Sequence, residues 1–133
     1  MNFILSTNTI TAYLSLETFR FESQGKSCVV GTHLLLETTN GKQTIASIGE
    51  SRLVAGNQVR VDLFKGNEPF DKFDHLVAVL QYGLIGVTRK WAIIRPTIIC
   101  YGAASLRAVF NGYEEGVLNR AFGDAGAMQI FFK

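Results

Sequence analysis

Residues 97–101 read TIICY and follow Pro96. Proline excludes helix locally, and an extended run that is apolar on both faces is the pattern of a central, buried strand. A helical pattern lies on either side of it. In KGNEPFDKFDHLVAVLQYGLIGV, residues 65–87, the side chains Phe70, Phe73, Leu76, Val77, Leu80 and Leu84 recur at three- and four-residue spacing and form one apolar stripe. Pro69 suits the first turn of that helix, and Glu68 and Asp71 complement its positive end. SLRAVFNGYEEGVLNRAFGDAG, residues 105–126, predicts a second helix, interrupted near Asn111-Gly112 and ended at Gly123 or Gly126. AMQIFF then closes the chain as a strand. Both helical segments are long enough to carry a crossover between parallel strands, so TIICY is predicted to have a parallel neighbour.

The first half reads as strands. NFILS is one, and FILSTNTITAYL, residues 3–14, has the outline of a hairpin turning at Ser6-Thr7-Asn8-Thr9. ITAYLSLETFRFES alternates apolar and polar residues, with a break near Glu17-Thr18. SCVVGTHLLLET is read as a single strand, followed by Asn40-Gly41, a strong hairpin signal because both residues tolerate positive φ. QTIASIG returns, ESRLVAGN reads as a short helix ending at Gly56-Asn57, and VRVDLF is extended. A meander of strands followed by alternating helix and strand indicates an α/β mixed sheet, in the order βββαβαβ, as one domain over residues 1–133.

Several classes of function are excluded by composition. With 47% apolar and 18% charged residues the chain is an ordered globule, and a formal charge of +2 without a Lys/Arg run does not suit nucleic acid. At 133 residues it needs neither disulfide nor metal to fold. Cys28 and Cys100 each sit in an apolar run and are read as reduced core residues; no CxxC or Cys/His cluster suggests zinc. No basic start followed by a long apolar core marks a signal peptide, and no apolar stretch is long enough to span a bilayer, so a cytoplasmic setting is expected. His33 and His75 have no Ser, Cys or Asp at a telling spacing and are read as structural and surface residues respectively. Tyr82, Trp91 and Tyr101 suit an interface, though core packing explains them equally.

The βββαβαβ order is that of the ribonuclease H-like fold, which is also the repeated half of actin-like ATPases. A nuclease on this fold needs converging carboxylates, the first on the first strand, and that strand offers none. The chain resembles instead the N-terminal subdomain of the MreB-type rod shape-determining proteins, the bacterial actin homologues. RPTIICYG is similar to the family's RP-x-apolar-x-Cys-apolar-Pro strand, and YEEGVLNRAFGDAGAMQIFF to its VERRA…AGAREVFLI helix and strand. TTNGKQTIASIGESRLVAG resembles the hairpin GKVLAVGEEAKRMLG, and LSTNTITAYL the first hairpin LGTANTLVYV.

The resemblance implies ATP bound between two homologous halves, of which this chain supplies one. It also implies an Asp-x-Gly-Thr phosphate hairpin, in which the Asp manages a hydrated Mg²⁺ and the Gly lets backbone N–H groups approach phosphate. On the matched residues Ile4 replaces the Asp, Ser6 replaces the Gly, and Thr7 remains. The acid that positions the attacking water in the family matches Glu114, here expected to be a solvated side chain beside Glu115. No metal or cofactor is therefore expected, and no enzymatic activity. The expected role is association, with a second copy or with a full-length cell-shape protein. The alternative is a nucleotide or small-ligand cleft completed by oligomerisation, and a truncated remnant without a role is a third possibility.

Overall fold

The computed structural model of the chain describes residues 9–49, 56–64, 70–88 and 95–133. Within these, eight strands form two sheets. The strands are β1 (Thr9–Leu14), β2 (Thr18–Ser23), β3 (Lys26–Gly31), β4 (His33–Thr39), β5 (Lys42–Ile48), β6 (Gln58–Asp62), β7 (Thr97–Tyr101) and β8 (Gln129–Phe132). Helix α1 spans Phe73–Val87 and helix α2 Glu114–Asp124, with a 3₁₀ turn at Ala103–Leu106. The main sheet has the order β3-β2-β1-β7-β8. β1, β2 and β3 form an antiparallel meander, and β1, β7 and β8 run parallel. The small sheet, β5-β4-β6, is antiparallel throughout. This is the mixed sheet with crossover helices that the element order predicts, enlarged by the small sheet.

The meander follows from local chemistry. Gln24-Gly25 and Asn40-Gly41 have positive φ at both central positions, +47° and +80° in the first, +54° and +76° in the second. Turns of this kind match the right-handed twist of the flanking strands. Alternation does the rest: in TFRFES, Phe19 and Phe21 are fully buried while Thr18, Arg20 and Glu22 face away.

SCVVGTHLLLET is not one strand. It breaks at Thr32, which separates β3 in the main sheet from β4 in the small one. At Gly31 an added Cβ would run into the His33 imidazole, so glycine permits the bend. Thr32 then fixes it: its hydroxyl donates to the Leu16 carbonyl at 2.6 Å, its N–H to the Glu17 carbonyl at 3.1 Å, and its carbonyl accepts from Leu63 N–H at 2.9 Å. The small sheet is thus entered and left through one hydrogen-bonded pair.

Helix α1 lies on the Phe19/Phe21 face. Leu76, Leu80 and Leu84 of the predicted stripe are buried, joined by Val79, Gly83 and Val87. Gly83 is the closest approach, since a Cβ there would enter the Phe21 ring. The helix starts at Phe73; Phe70 precedes it and packs edge-on against Phe110 at 4.9 Å. Pro69, Glu68, the strand NFILS and most of the expected helix ESRLVAGN lie outside the described residues. The second helical segment is interrupted where expected, with Asn111 and Gly112 at φ +52° and +84°. Helix α2 follows and runs to Asp124; Gly126, φ +117°, turns the chain just beyond it, where the Arg95 guanidinium donates to the carbonyls of Gly123, Gly126 and Ala127.

The two-sided burial expected for TIICY is found on one side only. Ile98 and Cys100 are fully buried beneath the helices, whereas Ile99 is half-buried and Tyr101 exposed. The topology explains this. The connections into β7 and into β8 step the same way across the sheet, and right-handed crossovers in one direction place their helices on one face. Both α1 and α2 share the core on the Phe21 side.

Candidate functional site at the carboxyl ends of β1 and β7

In an open α/β sheet, ligands gather outside the carboxyl ends of the parallel strands, where the connections from neighbouring strands leave in opposite directions. Here the chain leaves β1 toward β2 and leaves β7 toward β8, so that point falls between Leu14 and Tyr101. Gly102 makes the close approach. It has φ +85°, and a Cβ there would collide with the Leu14 carbonyl. The Ser105 hydroxyl lies 3.3 Å from the same carbonyl and 2.6 Å from that of Gly102, tying the turn after β7 to the end of β1.

The first hairpin of the sheet is β1–β2, and it turns at Ser15–Thr18. Residues 3–8 of the hairpin expected over 3–14 lie outside the described residues; Thr9, expected in its turn, is a strand residue paired with Thr97, and β1 is flanked by β2 and β7. Ile4, Ser6 and Thr7 lie outside the described residues. The turn itself is closed on its own side chain. Ser15 N–H donates to the Thr18 carbonyl at 3.0 Å, Thr18 N–H donates to Ser15 Oγ at 3.1 Å, and Ser15 Oγ donates to the Thr18 carbonyl at 2.8 Å. Two of the amides that a phosphate hairpin would offer are thereby used within the turn.

Glu114 stands at the first position of α2, beside this end of the sheet. The expectation of a solvated acid is overturned: Glu114 is 5% exposed. The positive-φ turn at Asn111-Gly112 folds the chain back so that Arg107 Nε donates to Glu114 Oε2 at 3.1 Å. Oε1 is buried without a hydrogen-bond partner. Arg107 itself is largely exposed. Cys100 lies below, its thiol pushed up to about 12 by burial and then by the nearby Glu115 carboxylate, so it stays protonated and inert at neutral pH. Cys28 is also a free thiol, half-buried, with burial raising its pKa. Among the described residues no three His, Cys, Asp or Glu side chains converge on a metal position.

The expected interface residues separate. Tyr82 is exposed on α1, which covers one face of the sheet, while Tyr101 is exposed on the opposite face. Tyr101 stacks on Tyr13 with centroids 5.3 Å apart and planes at 12°, and the Arg20 guanidinium lies 4.3 Å over the Tyr13 ring. Trp91 lies outside the described residues. Sequence reasoning placed a break near Glu17-Thr18, where the turn lies, but missed Arg107, Ser105 and the role of the Ser15 side chain. The one signal available was Gly102 directly after an apolar strand.

No family model matches the chain, and no curated protein does. Among solved structures it is similar to MreB 5 of Spiroplasma citri bound to AMPPNP, with a TM-score of 0.61 and 10% identity. The match covers 94% of this chain and 38% of that one. No helix among the described residues is long and apolar enough to cross a membrane. The chain therefore has the mixed α/β fold of part of an MreB-like, actin-type protein, and spans little more than a third of its length.

Proposed function

We propose that this chain is a non-catalytic relative of one MreB half-domain and acts, in the cytoplasm, by association, with a second copy or with a full-length cell-shape protein. The observation that carries this reading is the self-closed turn at Ser15–Thr18. At the position where a nucleotide would be gripped, the Ser15 and Thr18 amides are bonded within the turn. Tyr13 and Leu14 end the strand there, and neither can hold a hydrated metal. What remains of the fold is surface, and Val29, Tyr82, Ile85, Tyr101 and Phe131 are all exposed apolar or aromatic side chains. Light-scattering mass measurement, alone and with a purified actin-like filament protein, tests the reading. A chain that stays monomeric and ignores the filament protein overturns it.

A second reading rests on Glu114. A buried carboxylate with one unpartnered oxygen, at the carboxyl end of the parallel strands, suits a group that meets a ligand once another chain closes the cleft. The similar structure was solved bound to AMPPNP. Titration calorimetry with Mg-ATP separates the two readings: heat that disappears in Glu114→Gln supports the cleft, and no heat across a wide concentration range removes it.

A further inference from the structure

The chain contains two asparagine-glycine pairs, and they form an internal comparison. Asn40-Gly41 joins β4 to β5, and Asn111-Gly112 precedes α2. All four residues are exposed. Their φ values nearly coincide, +54° and +76° against +52° and +84°. Neither glycine has a heavy atom within 4 Å of the place where a Cβ would stand, so no neighbouring group crowds either one. The pairs differ in what holds the glycine nitrogen. Gly112 N–H donates to the Arg107 carbonyl at 2.9 Å, and the next amide, Tyr113 N–H, donates to the Phe110 carbonyl at 2.9 Å. Buried Phe110 and Glu114 anchor that turn on either side. Gly41 N–H has no hydrogen-bond partner among the described residues, and every residue from Thr38 to Gln43 is exposed.

An amide nitrogen that reaches the side-chain carbonyl carbon of the asparagine before it displaces ammonia from that carbon. We propose that Asn40 is a site of spontaneous deamidation, and that the fold protects Asn111 from the same reaction. The Gly41 nitrogen loses its proton, bonds to Asn40 Cγ and expels ammonia, which leaves a five-membered succinimide. Water then opens the ring. Cleavage of the new N–Cγ bond gives aspartate with the original main chain. Cleavage between that nitrogen and the Asn40 carbonyl carbon gives isoaspartate, with the main chain running through the side chain. Nothing is oxidised or reduced; water is consumed and ammonia released. Glycine favours ring closure because it has no Cβ to obstruct it. Reaction waits on local opening of the turn, and opening is easiest where few buried contacts hold the backbone. At Asn111 the chain must also break the Gly112 and Tyr113 bonds and disturb two buried side chains. Isoaspartate adds a methylene to the main chain, and the two-residue turn that sets Thr39 opposite Lys42 has no place for it. The product therefore loosens the β4–β5 pairing at its tip and leaves the five-stranded sheet in register. This holds whether or not the chain associates.

Peptide mapping by mass spectrometry tests this on the full chain aged at mildly alkaline pH, with aspartyl and isoaspartyl products separated by chromatography. Conversion at residue 40 is expected to run at least about tenfold faster than at residue 111, the ratio that about 1.4 kcal/mol of extra opening cost produces. In concentrated urea, where neither turn is held, the two rates are expected to converge. Asn40→Gln lengthens the side chain, disfavours the ring, and is expected to abolish the product at residue 40 while conversion at 111 is unchanged. Circular dichroism confirms that the variant is folded. Equal rates in the native chain, or a faster one at 111, overturn the proposal. A native ratio that persists in urea overturns it as well, because the flanking residues and not the fold would then set it. An Asn40 that stays intact in the native chain while it converts in urea shows a closed tip and overturns the site.

Discussion

The two faces of the five-stranded sheet are built from the same strands, residue by residue in alternation, yet they have opposite characters. On the helix side, Ala12, Phe19, Phe21, Ile98 and Cys100 are fully buried. On the other side, Thr11, Arg20, Glu22, Ile99 and Tyr101 interleave with them, and Tyr101 is exposed. The two sets alternate along one backbone, which fixes only that they point to opposite faces. The difference lies in where the crossovers send the helices. Burial in this protein is thus decided by topology one step above the strands, and a residue's contribution to stability should follow its face rather than its type.

That contrast can be broken by substitution. Phe21→Ala removes a ring packed under Gly83 and is expected to cost about 3–5 kcal/mol, measured as a shift in the urea unfolding curve. A loss below about 1 kcal/mol would mean the helix side is not a packed core. Cys100 probes the same side by pH. Its unfolded thiol ionises near 9.0 and its folded one near 12. The raised value makes this contribution complete below pH 9 and lost as pH rises toward 12, by up to about 1.4 kcal/mol per pH unit. Cys100→Ala is expected to flatten that alkaline slope, and a slope unchanged by the substitution would show that the thiol is not its source.

Two smaller effects sharpen the comparison. Gly102→Ala, at the rim where the faces meet, combines a positive φ with a collision against the Leu14 carbonyl, for an expected loss of about 1–3 kcal/mol. Gly116→Ala, in α2 with open space around it, serves as the control and is expected to stabilise by about 1 kcal/mol. Tyr101→Thr, on the open face, removes a stacked pair and is expected to cost no more than about 1 kcal/mol at dilutions where the chain is monomeric. A cost equal to that of Phe21→Ala would mean the open face is a core already.

Much of this architecture was legible in the sequence, for reasons that particular residues show. TFRFES announced its two faces because period-two alternation survives any tertiary context. Asn40-Gly41 announced its hairpin because only such residues accept two positive φ values in succession. Asn111-Gly112 marked the helix interruption in the same way. TIICY misled because apolar residues on both faces report what a strand could bury, whereas actual burial needs a covering element that a single strand does not encode. The break at Thr32 was hidden because Cys28, Val30, Leu34 and Leu36 stay in step with period-two alternation across it. Glu114 read as solvated because an acid pair at a helix start is ordinarily on the surface; its burial depends on Arg107 being folded back by a turn whose geometry the sequence shows but whose partner it does not. The break near Glu17-Thr18 was legible as an interruption of the alternation, whereas Thr9 was read into a turn because Ser6-Thr7-Asn8-Thr9 has the composition of one and its long-range pairing with Thr97 leaves no local mark.

The hydrogen bond from Leu63 N–H to the Thr32 carbonyl has a consequence for the modularity of the chain. Residues 33–62 leave and re-enter the main body at points already in contact, so topologically they are a decorated loop. Closing a loop costs little more as it lengthens. Segments at the Asn40-Gly41 tip could therefore grow or be exchanged while the five-stranded sheet keeps its register. The main sheet and the small one can diverge at different rates, one held by its core and the other free to be rewritten for a new partner.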